Sequence, residues 1–246
     1  MTTMQNIHHF INQIVRGDCV QVMRQMPSES VDFVLTDPPY LVNYRARDNR
    51  RFANDDNELW LLPSFAQIGR VLKRDRFAVC FYGWSKADRF ITAWKAAGLC
   101  PVGHLVWTKN YHSNERFVRY SHESAYLLAK GNPDKPRIAL RDVLDWRYTG
   151  DTLHPTQKPV MALLPLIMAY SQIGDIVLDP FAGSGTTAVA AETLGRRYIG
   201  IEIDPEYCRI AQERLAQKEL EYFGLRNTTS ISKWSHNQIS GAVSPS

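Results

Sequence analysis

Apolar runs of strand length alternate along this chain with stretches whose apolar residues recur at helical spacing. This alternation predicts an α/β fold, a mostly parallel sheet with helices on both faces. The predicted strands are residues 31–36, 77–82, 105–107, 125–128, 176–178 and 197–201. The predicted helices are residues 58–73, 85–97, 160–171, 186–194 and 205–222. Ser85 is expected to be the N-cap of the second helix.

Three polar stretches interrupt this alternation, residues 41–57, 109–120 and 130–153, and we interpret them as loops. From Gly224 onward the chain is rich in Ser, Thr and Asn, which is typical of a disordered tail. The sequence therefore predicts one domain over residues 1–223 and a disordered tail over residues 224–246. It contains no visible internal repeat.

Composition narrows the class of protein without identifying it. A chain of 246 residues, 44 % of them hydrophobic, can form one sizeable α/β domain. No run of about 18 apolar residues predicts a membrane span, and no signal-peptide pattern is present, so we expect a cytoplasmic protein. The four scattered cysteines form no Cys-x-x-Cys pair, and His8-His9 lacks partners at ligand spacing, so no metal site is expected. The net charge of +4 is compatible with nucleic-acid binding but is weak evidence for it.

Two loops that follow predicted strands carry the candidate chemistry. The first is Asp37-Pro38-Pro39-Tyr40, which is rigid, acidic and aromatic. The second runs from Asp179 to Thr187 and reads Asp-Pro-Phe-Ala-Gly-Ser-Gly-Thr-Thr. Open α/β sheets bind ligands at loops that leave the carboxyl ends of their strands. Alone, either loop could also be a tight structural turn with no chemistry.

Together the two motifs resemble those of the DNA amino-methyltransferases, which use S-adenosylmethionine. That family has a chemical motif Asp/Asn/Ser-Pro-Pro-aromatic and a cofactor motif containing Phe-x-Gly-x-Gly. The chemical motif comes first here, as in the circularly permuted β group. Two further matches are Gly17-Asp18 and the segment His154-Pro155-Thr156-Gln157-Lys158-Pro159. The resemblance covers residues 12–222 and implies a Rossmann-like methyltransferase sheet with permuted motif order.

The glycine loop is the predicted cofactor site. Glycines let the backbone approach a ligand closely, and a helix beginning near Thr186 offers free N–H groups to a carboxylate. Glu202, about 20 residues further on, can accept hydrogen bonds from both ribose hydroxyls. The resemblance implies that role for Glu202, and assigns Asp18 to the adenine amino group and Lys158 to the methionine end. The predicted cofactor-binding residues are Asp18, Lys158, Asp179, Phe181, Gly183, Ser184, Gly185, Thr186 and Glu202. A nicotinamide fold is disfavoured because Gly-x-Gly-x-x-Gly is absent.

The Asp37–Tyr40 motif suits methyl transfer to an exocyclic amine. Such an amine is a poor nucleophile because its lone pair is delocalised into the ring. The Asp37 carboxylate and the Pro38 carbonyl can each accept one N–H bond and stabilise the positive charge that develops on the nitrogen. Pro38 and Pro39 pre-organise these acceptors, and Tyr40 can stack on the base. The base must leave its duplex to reach such a pocket. No metal is required.

Basic residues near these motifs are candidates for DNA contact. Arg45, Arg47, Arg50 and Arg51 follow Tyr40 and can bind phosphates, although a solvated loop with partly neutralising aspartates is the alternative. A second cluster, made of Tyr111, His112, Arg116, Phe117, Arg119 and Tyr120, is a candidate for base readout or for filling the space left by a flipped base. A packed surface loop is its alternative. The short target-recognition region is expected within residues 109–153.

The resemblance thus implies a double-stranded DNA partner, with a homodimer as a further expectation, and the activity of an adenine-N6 methyltransferase. The aspartate of Asp-Pro-Pro-Tyr favours adenine, since many cytosine-N4 enzymes carry serine there. An RNA or protein-glutamine methyltransferase typically has Asn-Pro-Pro-Tyr in unpermuted order. A catalytically silent DNA-binding relative is opposed by the intact Asp37 and Gly183–Gly185.

Overall fold

The computed structural model describes residues 6–42, 55–114, 117–146 and 158–216. Within them, eight strands form one sheet in the order β1-β8-β7-β2-β3-β5-β4-β6. The strands are β1 (Gln13–Arg16), β2 (Phe33–Thr36), β3 (Arg76–Phe81), β4 (Leu99–Asn114), β5 (Arg119–Lys130), β6 (Val143–Asp145), β7 (Ile176–Asp179) and β8 (Arg197–Glu202). Only β5 runs opposite to the other described strands, since it is antiparallel to both β3 and β4 while the remaining pairs are parallel.

Six α-helices flank this sheet in the described part of the chain. They are α1 (Cys19–Gln25), α2 (Leu61–Val71), α3 (Ala87–Ala96), α4 (Val160–Tyr170), α5 (Thr186–Thr193) and α6 (Pro205–Ala216). Short 3-10 turns occur at Ile7–His9 and Trp84–Lys86. No described helix is long and apolar enough to cross a membrane.

The helices cover both faces of the sheet because the strands are apolar on both sides. In β2, Val34 packs with α1, α2 and α3 in one buried cluster, and its neighbours Phe33 and Leu35 pack with α4, α5 and α6 in another. Successive strand residues point to opposite faces, so a continuous apolar strand needs cover on each face. The predicted α/β architecture with helices on both faces is confirmed.

Several predicted boundaries change. Ser85 is not an N-cap: it lies inside the 3-10 turn that Gly83 starts by accepting from the backbone N–H of Lys86, and α3 begins after it. Most of the described part of 109–120 is not a loop, because residues 109–114 belong to β4 and residues 119–120 to β5, with Ser113 paired to Tyr120 and Asn114 to Arg119. Strand β6 lies within the predicted loop 130–153. Residues 217–246, which include the predicted tail, lie outside the described residues.

Asp32, at the amino end of β2, connects two central strands away from their carboxyl ends. Its carboxylate is buried, accepts from the backbone N–H of Ile176 at 2.9 Å and pairs with Lys73 at 2.6 Å and Arg76 at 3.8 Å. We expect Asp32→Ala to lower the free energy of unfolding by about 2–4 kcal/mol, since a buried N–H loses its acceptor and a lysine its counter-charge. Urea denaturation measures this loss.

Asp32→Asn is the matched comparison because it keeps one acceptor oxygen and removes only the charge. We expect its loss of stability to be smaller than that of Asp32→Ala. Equal stability of Asp32→Ala and the natural protein would contradict the structural role of this carboxylate.

Candidate active site

The two predicted loops meet at the middle of the sheet. Strands β2 and β7 are parallel neighbours, and each ends directly at its motif, so Asp37 and Asp179 leave the same edge. The helix after β2 packs on one face and the helix after β7 on the other. Neighbouring strands whose connections leave towards opposite faces open a crevice at their carboxyl ends, which is the usual ligand site of such sheets.

A cavity of about 360 Å³ occupies this crevice, within the size range of small-molecule sites. It brings together nearly all of the predicted cofactor and chemical residues. Those on its wall are Asp18, Asp37, Pro38, Pro39, Tyr40, Lys158, Asp179, Phe181, Gly183, Ser184, Thr186 and Glu202. Trp60, Asp204 and Tyr207 also line it, and the sequence analysis missed all three. Gly185, the remaining predicted cofactor residue, packs behind the loop.

The glycine loop has two positions that only glycine suits well. Gly183 has φ of 51° and a Cβ there would point into open space, whereas Gly185 has φ of 81° and a Cβ would lie 2.8 Å from that of Ala211. Positive φ is strained for other residues. Gly185 therefore brings α5 and α6 together, and Gly183 leaves the cavity wall bare backbone.

Arg214 of α6 braces the loop from behind, a contact with no signal in the motif. Its buried guanidinium donates to the carbonyl and hydroxyl oxygens of Ser184, at 2.6 and 3.0 Å, and to the Thr186 hydroxyl at 3.2 Å. The side chains of Ser184 and Thr186 are thus engaged towards α6. Their expected contribution to a ligand is consequently through the backbone.

Glu202, at the end of β8, is fixed beside the loop by backbone donors. Its two oxygens accept from the N–H groups of Gly183 and Asp204, both at 2.8 Å. Burial raises the pKa of this carboxyl, and these backbone hydrogen bonds oppose the shift. The carboxylate is therefore held rigidly, with acceptor capacity remaining on each oxygen.

Asp18 sits across the cavity at the start of α1. Its carboxylate caps that helix by accepting from the backbone N–H of Gln21 at 3.0 Å, and the N–H of the preceding Gly17 donates to the carbonyl of Glu202 at 2.8 Å. Gly17-Asp18 is thus tied to the end of β8. This contact explains why the two segments line one cavity although they are far apart in the chain.

The chemical half of the cavity holds three side chains in mutual contact. The Tyr40 hydroxyl donates to Asp37 Oδ1 at 2.8 Å and accepts from Lys158 Nζ at 3.0 Å. Lys158 Nζ also pairs with Asp37 Oδ2 at 2.9 Å. Burial raises the pKa of Asp37, and the Lys158 ammonium counteracts part of that rise. The predicted methionine contact of Lys158 is untested, but the structure places its ammonium on the Asp37 carboxylate.

Glu123 of β5 extends this contact to a buried network that the sequence analysis missed. Its Oε2 lies 3.7 Å from Lys158 Nζ, and its Oε1 pairs with Lys109 Nζ of β4. Lys158 lies over the rings of Tyr40, Phe81 and Trp146, at 5.3, 5.0 and 6.0 Å from their centroids. Two carboxylates and two ammonium groups therefore balance one another inside an aromatic surround.

The predicted DNA-contact residues are only partly described. Arg45, Arg47, Arg50, Arg51 and Arg116 lie outside the described residues. Arg119 is exposed at the start of β5, and its neighbour Tyr120 stacks on Trp84 with ring centroids 5.6 Å apart. Trp84 is 61 % and Phe117 87 % exposed. The described part of this cluster is thus an exposed aromatic surface, and Trp84 adds a member that the sequence analysis missed.

Comparison with known proteins decides the class of this site. The model of the N6/N4 methyltransferase family, described as DNA methylase, matches residues 31–213. The chain belongs to this DNA methylase family. The Escherichia coli (strain K12) protein named "Putative methylase YubD" is 53 % identical over 206 residues, which are 84 % of this chain and 91 % of that protein.

Solved structures agree with this placement. The M1.HpyAVI–SAM complex has a TM-score of 0.66 and 27 % identity, and the match covers 82 % of this chain and 98 % of that one. PvuII DNA methyltransferase, described as cytosine-N4-specific, shares the fold with a TM-score of 0.71 at 18 % identity over 98 % and 94 % of the two chains. The chain is an S-adenosylmethionine-dependent DNA methyltransferase, and the predicted methyltransferase sheet is confirmed.

The cavity of this DNA methyltransferase fits its cofactor. The bare backbone at Gly183 and the first turn of α5 suit the methionine carboxylate, and the fixed Glu202 carboxylate suits two ribose hydroxyls. Trp60 and Phe181, whose ring centroids lie 5.0 Å apart, provide an aromatic corner for a flat group. Bound there, the cofactor supplies a methyl group on a sulfonium. No group of three or more metal-ligating side chains occurs among the described residues.

Asp179 should make cofactor binding depend on pH. Burial raises the pKa of this cavity-lining carboxyl to about 7, against hydrogen bonds from Thr187 and the Phe181 backbone. A cation in the same cavity favours the ionised carboxylate, so cofactor binding releases a proton below about pH 7. Affinity for S-adenosylmethionine should then rise with pH from 6 to about 7, by at most about tenfold per unit, and level off by pH 8.

Calorimetry across this pH range measures the slope, and Asp179→Asn is its control because asparagine cannot titrate. The affinity of the natural protein should rise with pH over this range, whereas the affinity of Asp179→Asn should lack that rise. Parallel curves for both proteins would show that Asp179 does not exchange a proton on cofactor binding.

Proposed function

We propose that this DNA methyltransferase transfers the methyl group to the N6 amino group of an adenine flipped out of DNA. The observation that carries the proposal is the Asp37 carboxylate at the rim of β2, in one cavity with the cofactor loop and fixed by Tyr40 and Lys158. An aspartate at this position of the motif favours adenine over cytosine. The carboxylate and the Pro38 carbonyl offer the two acceptors that an amino group with two N–H bonds requires.

In the proposed reaction the chain orients the amine and stabilises its charge. Asp37 and the Pro38 carbonyl each accept one N–H bond, which turns the nitrogen lone pair towards the methyl carbon. The nitrogen becomes positive as the new N–C bond forms, and both acceptors stabilise that charge in a site sheltered from water. The methyl–sulfur bond breaks as the N–C bond forms, which leaves a neutral thioether, and the nitrogen then passes one proton to the Asp37 carboxylate that accepts its N–H and from there to water. Tyr40 offers its ring face to the base, and the neighbouring aromatic wall offsets the cost of unstacking it.

Contact with DNA outside the pocket is proposed for the arginine-rich segment after Tyr40 and for the exposed aromatic surface. Arg45, Arg47, Arg50 and Arg51 follow the chemical motif directly, so their position along the chain supports contact with phosphates near the flipped base. Arg119, Tyr120, Trp84 and Phe117 combine a cation with exposed rings, which suits stacking and phosphate binding.

Nucleoside mass spectrometry tests the proposal directly. DNA is incubated with the enzyme and isotopically labelled S-adenosylmethionine, digested to nucleosides and analysed. The expected product is N6-methyldeoxyadenosine. Labelled N4-methyldeoxycytidine would instead assign the cytosine reaction. In a parallel incubation with RNA, label that appears in the RNA and not in the DNA would contradict the proposed substrate.

A further inference from the structure

The Lys158 ammonium poses a problem for the proposed chemistry. It donates to Asp37 Oδ2 at 2.9 Å, and the Tyr40 hydroxyl donates to Asp37 Oδ1 at 2.8 Å, so both oxygens of Asp37 already accept a hydrogen bond. A target amine would have to share one of these oxygens with a donor already bound to it. An ammonium on Asp37 also weakens that carboxylate as an acceptor, and repels the positive charge that develops on the amine nitrogen.

Glu123 offers Lys158 a second position. Glu123 Oε2 lies 3.7 Å from Lys158 Nζ, whereas Lys109 pairs with the other oxygen, Oε1, and the Glu123 side chain is mostly buried. A shift of less than 1 Å would bring Lys158 Nζ from this separation to hydrogen-bond distance of Glu123. A long ion pair beside a short one is the arrangement expected when one ammonium group is shared between two carboxylates.

We propose that Glu123 is a positioning residue that takes up the Lys158 ammonium when the target amine reaches Asp37. Before the base enters, the Lys158 ammonium offsets part of the cost of burying the charged Asp37 carboxylate. Once the amine donates to Asp37, Lys158 moves towards Glu123, and Asp37 becomes a full-strength acceptor without a cation beside the reacting nitrogen. This inference rests on the proposed role of Asp37 in orienting the amine.

The charges around the network agree with this exchange. Burial acts to raise the pKa of Glu123, but Lys158 and Lys109 outweigh it and keep Glu123 ionised. Burial acts to lower the pKa of Lys158, but Asp37 and Glu123 outweigh it and keep the ammonium charged. Removing one carboxylate would therefore leave the ammonium confined to the other.

The titratable and charged groups that face Asp37 come from several elements. They are Tyr40 after β2, Lys158 before α4, Glu123 of β5, Cys80 of β3 and Asp179 of β7, and Lys109 of β4 pairs with Glu123 behind them. Among these groups Lys158 lowers the pKa of Asp37 and Glu123 raises it. Substituting each of the two should thus move the titration of Asp37 in opposite directions.

The pH dependence of kcat/KM for DNA, measured at saturating S-adenosylmethionine, tests the proposal, because the bound cofactor then holds Asp179 in one state and the acid limb reports Asp37. Glu123→Gln should lower kcat by about 10- to 100-fold, since Lys158 stays on Asp37. Its acid limb should move to lower pH, because a negative charge near Asp37 is gone. Lys158→Met should move the acid limb to higher pH, because the buried carboxylate loses its cation. Affinity for S-adenosylmethionine should change little in Glu123→Gln.

Glu29→Gln is the matched control, because it breaks another lysine–glutamate pair, with Lys130 at 3.4 Å, outside the cavity. It should leave the rate and the pH profile unchanged. A folded Glu123→Gln enzyme with unchanged kcat, or with a slower rate and an unmoved acid limb, would overturn the positioning role.

Glu123→Asp keeps the proposal testable if Glu123→Gln fails to fold. The shorter side chain withdraws the carboxylate by ~1.5 Å and retains the charge. The rate should therefore fall several-fold while the acid limb stays in place, and a rate within twofold of the natural enzyme would overturn the inference. If the proposed role of Asp37 itself is wrong, the result is different, because Asp37→Asn would then remain active.

Discussion

Replacing Asp37 with asparagine is expected to lower kcat for DNA methylation by about 10²–10³-fold, while affinity for S-adenosylmethionine stays within about twofold. The carboxylate faces the amine and its developing charge, whereas the predicted ribose and carboxylate contacts of the cofactor lie at Glu202 and the glycine loop. Single-turnover kinetics with labelled cofactor and calorimetry measure the two quantities separately.

The network around Asp37 makes this variant interpretable. Lys158 retains a carboxylate partner in Glu123, so removal of the Asp37 charge does not leave a buried ammonium without a counter-charge. The protein should therefore remain folded. Asp88→Asn, on the exposed surface of α3, is the control and should behave as the natural enzyme. Turnover within threefold of the natural enzyme in Asp37→Asn would remove Asp37 from the catalytic role.

Replacing Glu202 with alanine is expected to give the opposite pattern, a weaker cofactor affinity of about 10- to 150-fold, equivalent to roughly 1.5–3 kcal/mol. Two contributions add in the same direction. The ribose hydroxyls lose a charged acceptor, and the N–H of Gly183 loses the partner that fixes the glycine loop. Calorimetry with S-adenosylmethionine measures the loss.

Glu202→Gln separates those two contributions, because its amide oxygen can still accept from Gly183 while the charge is gone. The affinity of Glu202→Gln for S-adenosylmethionine should lie between that of the natural enzyme and that of Glu202→Ala. Glu192→Ala, at the exposed far end of α5, controls for the removal of a carboxylate outside the cavity. Unchanged affinity in Glu202→Ala would mean that the ribose is held by other groups.

Much of the fold could be predicted from the sequence because its central strands are apolar without interruption. Phe33–Thr36 and Ile176–Asp179 are buried along their whole length, and the loops that follow carry motifs with few structural alternatives. Chain order and strand type place both loops at the carboxyl ends of their strands, and in the structure both line one cavity. The cavity residues were found largely through these motifs.

The elements that were missed or mistaken have weaker signals in the chain. Strand β1 has only four residues, and its pairing with β8, from Gln13↔Ile199 to Arg16↔Glu202, is fixed by residues far along the chain. The sequence predicts a loop over the polar part of β4 and β5, because its residues alternate too little in hydrophobicity. Backbone hydrogen bonds between the two strands stabilise it regardless of side-chain polarity.

The sequence carries little signal that assigns Glu123 to the site. This residue belongs to no motif, and its partner Lys158 lies in a distant segment of the chain. The available signal was its position two residues before Ala125, which places a carboxylate on an otherwise apolar face of β5. The directly paired residue across the strands is the buried Trp107, so the carboxylate had to meet a buried cation.

The pairing of β2 with β7 also affects how the chain folds while it is being translated. The first chemical motif emerges early during synthesis, but its neighbouring strand follows only after Ile176, and Gly17 meets Glu202 later still. Contacts of such sequence separation slow folding, and an incomplete chain exposes the unpaired edge of β2. A ribosome-bound fragment that ends before β7 thus has half of a binding cleft and an unpaired edge on β2 that can associate with other chains. We expect the fragment to bind chaperones most at that length.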